Sequence, residues 1–241
     1  MRLIMAFRLL WICACACSLH ALSALWVGPH PFNRTGLWVA CGGVLFAYHF
    51  FYQQKMMRLM ASLGLAGLAY GFVGLNGVGR IWVMGAGMVT ALYYAGGRRL
   101  PAFKTPAIAI AWCGATLLPL ARPDPLPEWL WAAAAHRFLL VAALALAYDI
   151  VDMAHDPDPT PARRLGRSLS EGLVYLLLFA VIAVAVGLPA SFRGGLRLSA
   201  IATAAILFGA LRSASAPWYA RKAAIDAAMP LHWAVCAWLA D

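Results

Sequence analysis

The chain has 241 residues, of which 63% are hydrophobic and 12% charged, with a mean hydropathy of +0.76 and a formal net charge of +10. A soluble domain is nearer half apolar and a quarter charged, and a fold of this size has too much surface to hide so much apolar side chain from water. Composition therefore excludes a soluble domain, and at about 20 residues per span the chain has room for at most roughly ten transmembrane helices.

Nine apolar segments are expected, forming one transmembrane helical domain over residues 1–241. Each is bounded by charged or Pro/Gly-rich punctuation. The first covers 9–28. Arg2, Arg8 and the small residues at 21–24 imitate a secretory signal, but the apolar run continues through Leu25, Trp26 and Val27, which suits a span. Its Cys13, Cys15 and Cys17 are two apart, so successive thiols point about 200° apart on a helix and do not converge on one metal. The second segment, 37–52, leads into a stretch with His49, Tyr52, Gln53, Gln54, Lys55 and Arg58 and no acid. The third, 59–75, carries Gly64, Gly67, Gly71 and Gly74. That spacing places one glycine stripe on one helix face, and close helix packing is its expected use. The fourth and fifth cover 81–95 and 106–120, with Lys104 just ahead of the latter.

The sixth segment, 129–147, holds Arg137 with His136 beside it, near mid-bilayer. An ionisable residue at that depth faces a cavity or a partner. Asp226 of the ninth segment is the expected partner in a structural ion pair; a cavity wall touching substrate is the alternative. The segment ends in Asp149, Asp152, Asp156 and Asp158, four of the nine acids in the chain, none of which precedes Asp124. Asp149, Asp152 and Asp156, spaced i, i+3, i+7, fall within about a 60° arc of a helix face. Carboxylates so placed repel unless a cation sits between them, and hard oxygens suit Mg²⁺, which shares its shell with substrate phosphates. Pro157, Pro159 and Pro161 end the helix, and Arg163, Arg164 and Arg167 follow within reach of a phosphate. A solvated acidic helix end answered by basic neighbours is the competing reading of the same spacing.

Segments seven to nine cover 172–188, 198–211 and 217–239, the last interrupted by Arg221, Lys222 and Asp226. On this layout thirteen Lys and Arg residues fall on one side of the membrane, while Arg34, Arg80, Arg122, Arg193 and Arg197 fall on the other. The positive-inside rule then predicts a multi-pass protein of an inner or plasma membrane with a cytoplasmic N-terminus. The net charge reflects this placement, and no nucleic-acid partner is expected.

Asp149-x-x-Asp152-x-x-x-Asp156, after the sixth of nine segments, resembles the second aspartate-rich motif of the UbiA superfamily of intramembrane prenyltransferases. Thr160-Pro-Ala-Arg-Arg-Leu165-Gly166 is similar to the stretch that follows that motif, and Lys104-Thr-Pro-Ala-Ile-Ala-Ile-Ala-Trp112 is similar to the start of the fifth helix in the family. The resemblance implies an all-α, UbiA-like bundle of about nine transmembrane helices that moves a polyprenyl group from a polyprenyl diphosphate to a lipid-soluble acceptor. It implies Mg²⁺ held by Asp149, Asp152 and Asp156 as the catalytic and metal-binding residues. His49, Lys55, Arg58, Lys104, Arg137, Arg163 and Arg164 are the candidate substrate-binding residues. The family carries a first aspartate motif after helix two, where this chain has no acid, and Lys55 and Arg58 would meet the diphosphate directly. The alternative is a non-catalytic member of the same fold that binds a lipid phosphate or serves as a subunit of a complex. An unrelated small transporter is a third reading, without the inverted repeats it calls for.

Overall fold

The computed structural model describes residues 2–27, 34–49, 55–117, 127–155, 160–213 and 215–239. Among the described residues there is no strand, and ten α-helices follow one another: α1 (Arg2–Val27), α2 (Arg34–His49), α3 (Lys55–Val73), α4 (Gly77–Ala95), α5 (Pro101–Thr116), α6 (Leu130–Asp152), α7 (Pro161–Leu165), α8 (Arg167–Val184), α9 (Ala190–Arg212) and α10 (Trp218–Trp238). The all-helical class is as expected. Every apolar segment has its helix, and the additional one, α7, is a single short turn.

Three helical stretches are long and apolar enough to cross a membrane: α6, Arg167–Gly187 (α8 with the 3-10 turn after it) and α9. Leu10–Trp26, Arg34–Ala47 and Ala61–Val73 are apolar but shorter. Helix α8 and the 3-10 turn after it have the inside-out pattern that an apolar surrounding favours. Val174, Leu178, Val181 and Ala185, spaced four, three and four, are buried against the protein, while Leu169, Leu176, Phe179 and Val186 are exposed. In water a surface helix would turn charged residues outward instead.

Proline and glycine set several helix boundaries. Pro101 opens α5 at the position where a missing N–H costs nothing, and Pro161 does the same for α7. The Thr160 hydroxyl caps α7 by accepting from the Arg163 backbone N–H at 3.2 Å. Gly166, at φ +77°, takes the left-handed conformation that separates α7 from α8. Pro106 and Pro230 lie inside α5 and α10, where each removes one helical hydrogen bond.

The helices gather into two compact units. One comprises residues 1–88 and 114–127. Its tightest pairing is α2 against α3, along the glycine stripe. A Cβ added at Gly64 would lie 2.8 Å from the Phe46 backbone nitrogen, and one at Gly71 would lie 2.6 Å from Val39 Cγ2. The glycines are thus there because the backbones touch. Cys17 of α1 and Cys41 of α2, both free thiols, meet with their sulfurs 3.1 Å apart.

The other unit comprises residues 89–113 and 128–241. Helix α6 is its most enclosed element. Leu140, Ala143, Leu144 and Ala147 lose essentially all their solvent exposure, and α6 packs against α8, α9 and α10. The C-terminal end of α6 carries the acids.

Candidate functional site

Asp149 and Asp152 stand in the last turn and a half of α6, about 60° apart around its axis. Each meets a lysine from a different helix. Lys104 of α5 places Nζ 3.0 Å from Asp149 Oδ1, and Lys222 of α10 places Nζ 2.6 Å from Asp152 Oδ2. All four side chains are largely withdrawn from water, Asp152 least so at 19% exposed. The Lys222 ammonium also lies 4.5 Å from the Tyr148 ring centroid and 4.4 Å from that of Trp218. Cation–π attraction adds to the ion pair there. The His155 ring stacks on Trp218 at 5.5 Å between centroids.

The placement of these charges runs against local helix electrostatics. Carboxylates favour helix N-termini and ammonium groups favour C-termini, by roughly 0.3–1 kcal/mol each. Here the two acids close α6, while the two lysines stand in the first turn and a half of α5 and α10. Each group opposes its own helix, so the pairing between helices supplies the compensation.

Arginines secure the surrounding helix ends. Arg163 Nε donates to the Met153 carbonyl at 2.9 Å, tying α7 to the end of α6. Glu171 accepts from Arg167 Nε at 2.8 Å and pairs with Arg212 at 3.3 Å. Arg221 Nε donates to Ala210 O at 2.6 Å, and both Arg167 and Arg221 donate to Leu211 O. Two cations thus satisfy carbonyls at the C-terminus of α9, in keeping with its dipole. Arg164 is exposed on α7.

Arg137 belongs to a different level of the same unit. Twelve residues before Asp149 on α6, it lies about 18 Å away along the helix. It is fully buried, as are its neighbour His136 and His232 of α10, whose rings approach to 5.3 Å. Ser199 of α9 is 3.4 Å from His232 Nε2, and Cys113 contacts the Ala134 carbonyl at 3.8 Å. This is a buried polar layer, separate from the aspartates.

Of the residues singled out from sequence, the structure brings Asp149, Asp152 and Lys104 together and sets Arg163 against the end of α6. Asp156 lies outside the described residues. His49 ends α2 and Lys55 and Arg58 open α3, but their side chains also lie outside them. Lys222, Tyr148, Trp218 and Glu171 were not anticipated as a group. The available signal was Lys222 itself, a cation inside an apolar segment, which has to be paired or at the interface.

Among the described residues no group of three or more His, Cys, Asp or Glu side chains is placed to hold a metal ion. Mg²⁺ takes one or two carboxylates and completes its shell with water and phosphate oxygens. Asp149 and Asp152 fit that role provided their ammonium partners turn elsewhere. No known family model and no curated protein sequence matches this chain.

Proposed function

We propose that the chain is a UbiA-like, multi-pass membrane protein that binds a polyprenyl diphosphate, or a related lipid phosphate, at the acidic end of α6. On this reading the nine long helices all span an inner or plasma membrane, with the N-terminus cytoplasmic. The observation that carries it is the convergence of Asp149, Asp152, Lys104 and Lys222 at one end of an apolar helix of membrane-crossing length. Such a cluster offers carboxylates to a divalent cation and ammonium groups to phosphate oxygens, while apolar helix surface extends away from it along the path a prenyl tail would take.

As a prenyltransferase, the protein would promote cleavage of the allylic C–O bond, the diphosphate leaving with the electron pair. The acceptor would then attack the allylic carbon and lose a proton. Mg²⁺, when bound, would neutralise the leaving group. Asp149 and Asp152 would hold it, with Asp156 as third ligand. Lys104, Lys222 and Arg163 would orient the phosphates.

The test is binding and turnover of radiolabelled polyprenyl diphosphates by the purified protein, with and without Mg²⁺. Asp149→Asn or Asp152→Asn should weaken Mg²⁺-dependent binding at least ten-fold, roughly 1.4 kcal/mol. Equal, small effects at Asp149, Asp152, Asp156 and Asp158 would instead leave a solvated acidic helix end. One observation favours the non-catalytic alternative: the two described carboxylates already carry resident cations. Binding without turnover over a panel of aromatic and lipid acceptors is its signature.

A further inference from the structure

We infer that Lys104 and Lys222 are resident counter-cations of Asp149 and Asp152, and that a divalent cation gains these carboxylates only when a diphosphate arrives to receive the two ammonium groups. The diphosphate half rests on the reading above. The competition between lysine and metal rests on this chain's own charges.

The four buried groups are electrically balanced, two carboxylates against two ammonium groups. A carboxylate oxygen must come within about 2.0–2.1 Å of Mg²⁺. One oxygen of each carboxylate, Asp149 Oδ1 and Asp152 Oδ2, already accepts from Lys104 or Lys222, at 3.0 and 2.6 Å, so a metal ion on either carboxylate stands against an ammonium group. A divalent cation entering alone would crowd two ammonium groups and leave two uncompensated positive charges in a site shielded from water. A diphosphate entering alone would add roughly three negative charges beside two carboxylates, since a phosphate monoester carries close to two at neutral pH. Entering together they nearly cancel, and the lysines exchange a carboxylate partner for a phosphate partner.

The surroundings of Lys222 say which lysine governs the exchange. Lys222 lies 2.6 Å from its carboxylate and within 4.5 Å of two ring centroids. Tyr148 and Trp218 hold the ammonium beside Asp152 whatever the second anion is. Between those rings the ammonium would keep its cation–π contacts while exchanging a carboxylate partner for a phosphate oxygen. Lys222 is therefore a specificity-determining residue: it excludes a bare metal ion and admits a metal–diphosphate pair.

The test uses the full chain in nanodiscs, with Mn²⁺ as a spectroscopic stand-in for Mg²⁺. Mn²⁺ retained with the protein after equilibrium dialysis is counted by electron paramagnetic resonance, alone, with inorganic pyrophosphate and with a polyprenyl diphosphate. The wild type should hold Mn²⁺ weakly, and pyrophosphate should tighten retention at least ten-fold. Lys222→Gln should hold Mn²⁺ alone at least ten-fold more tightly than the wild type and lose most of the pyrophosphate enhancement. Lys222→Arg, which keeps the charge, should follow the wild type, and Lys104→Gln should shift in the direction of Lys222→Gln by a smaller factor. Mn²⁺ affinity unchanged or lowered in a helical, monodisperse Lys222→Gln protein overturns the inference. So does a wild type whose Mn²⁺ affinity is the same with and without pyrophosphate, a result that needs no variant. If the lysine–metal competition is found but a polyprenyl diphosphate does no better than pyrophosphate, the inference stands and the prenyl-lipid reading falls. If a polyprenyl diphosphate binds tightly with no response to either lysine, the reading stands and the inference falls.

Discussion

Replacing Lys222 by Met removes the ammonium that sits 2.6 Å from Asp152 Oδ2; replacing Asp152 by Asn removes the charge that faces that ammonium. At 2.6 Å and an effective dielectric near 20, the gross attraction between the two charges is about 6 kcal/mol. Desolvation of both groups offsets most of this, so the pair as a whole contributes little net stability. Breaking one side is different, because the other charge stays in place without its partner, and such single changes cost about 3–5 kcal/mol in buried sites. Asp152 is 19% exposed, which lets water reach it and puts the expected cost of each single variant at the lower end, about 3 kcal/mol. The double variant Lys222→Met with Asp152→Asn removes both charges. It should cost well below the sum of the singles, with a coupling of about 2 kcal/mol. Unfolding in mixed micelles by titration with a denaturing detergent, followed by far-ultraviolet circular dichroism, measures all four corners of the cycle. Additivity to within about 0.5 kcal/mol would refute the pairing, since two groups in contact and poorly screened by water cannot be independent.

Gly71→Leu should destabilise the α2–α3 pair by about 1–3 kcal/mol, because even the first carbon of a side chain there would sit 2.6 Å from Val39 Cγ2. Gly43→Ala on α2, with nothing within 4 Å of the added carbon, should be neutral or stabilising by up to about 1 kcal/mol in the same titration. Arg137→Met should change folded yield and thermal stability but leave binding of a lipid diphosphate within about three-fold, because roughly 18 Å of helix separates it from Asp149; a loss comparable to that of Asp149→Asn would place Arg137 in the binding site. Reporter fusions at residues 55, 124, 165 and 241 should alternate cytoplasmic, external, cytoplasmic, external, and finding 124 and 165 on one side would end the nine-span model and the site argument with it.

Helix positions were legible in the sequence because their signal is local. Apolar runs closed by Pro, Gly and Arg gave every long helix to within a few residues at most ends, and the 3-4-3 glycine spacing gave the contact face of α3 before its neighbour was known. The one-turn α7 escaped, since five residues held by a Thr160 cap and a proline carry no periodicity. The site was legible only on the helix that bears it. Asp149 and Asp152 share a face by arithmetic, but their partners come from α5 and α10, far away in sequence. Nothing in a one-dimensional pattern distinguishes Lys222, buried against Tyr148 and Asp152, from Arg221 beside it, which turns to the carbonyls at the end of α9. A single residue of helix rotation, about 100°, separates the two roles.

The same lysines bear on how the chain distributes charge. Residues 1–123 contain ten Lys and Arg and no Asp or Glu, while residues 124–241 contain nine of each sign, so the whole surplus of +10 belongs to the first part. The later part holds equal numbers of each sign, and within it Glu171 answers both Arg167 and Arg212, at 2.8 and 3.3 Å. Lys104, of the first part, takes its carboxylate from α6, which removes one acid from that internal supply. Arg80 turns to the Val73 carbonyl at 2.8 Å and to the Phe72 ring, contacts that satisfy a donor without cancelling a charge. No arrangement of the chain can therefore balance its cations internally, and the remaining counter-charge has to come from outside. For cations at the ends of apolar helices, the nearest dense source is phosphate at the membrane surface. On the proposed reading, the cationic helix ends would take their counter-charge from surface phosphate, while Asp149 and Asp152 take theirs from Lys104 and Lys222.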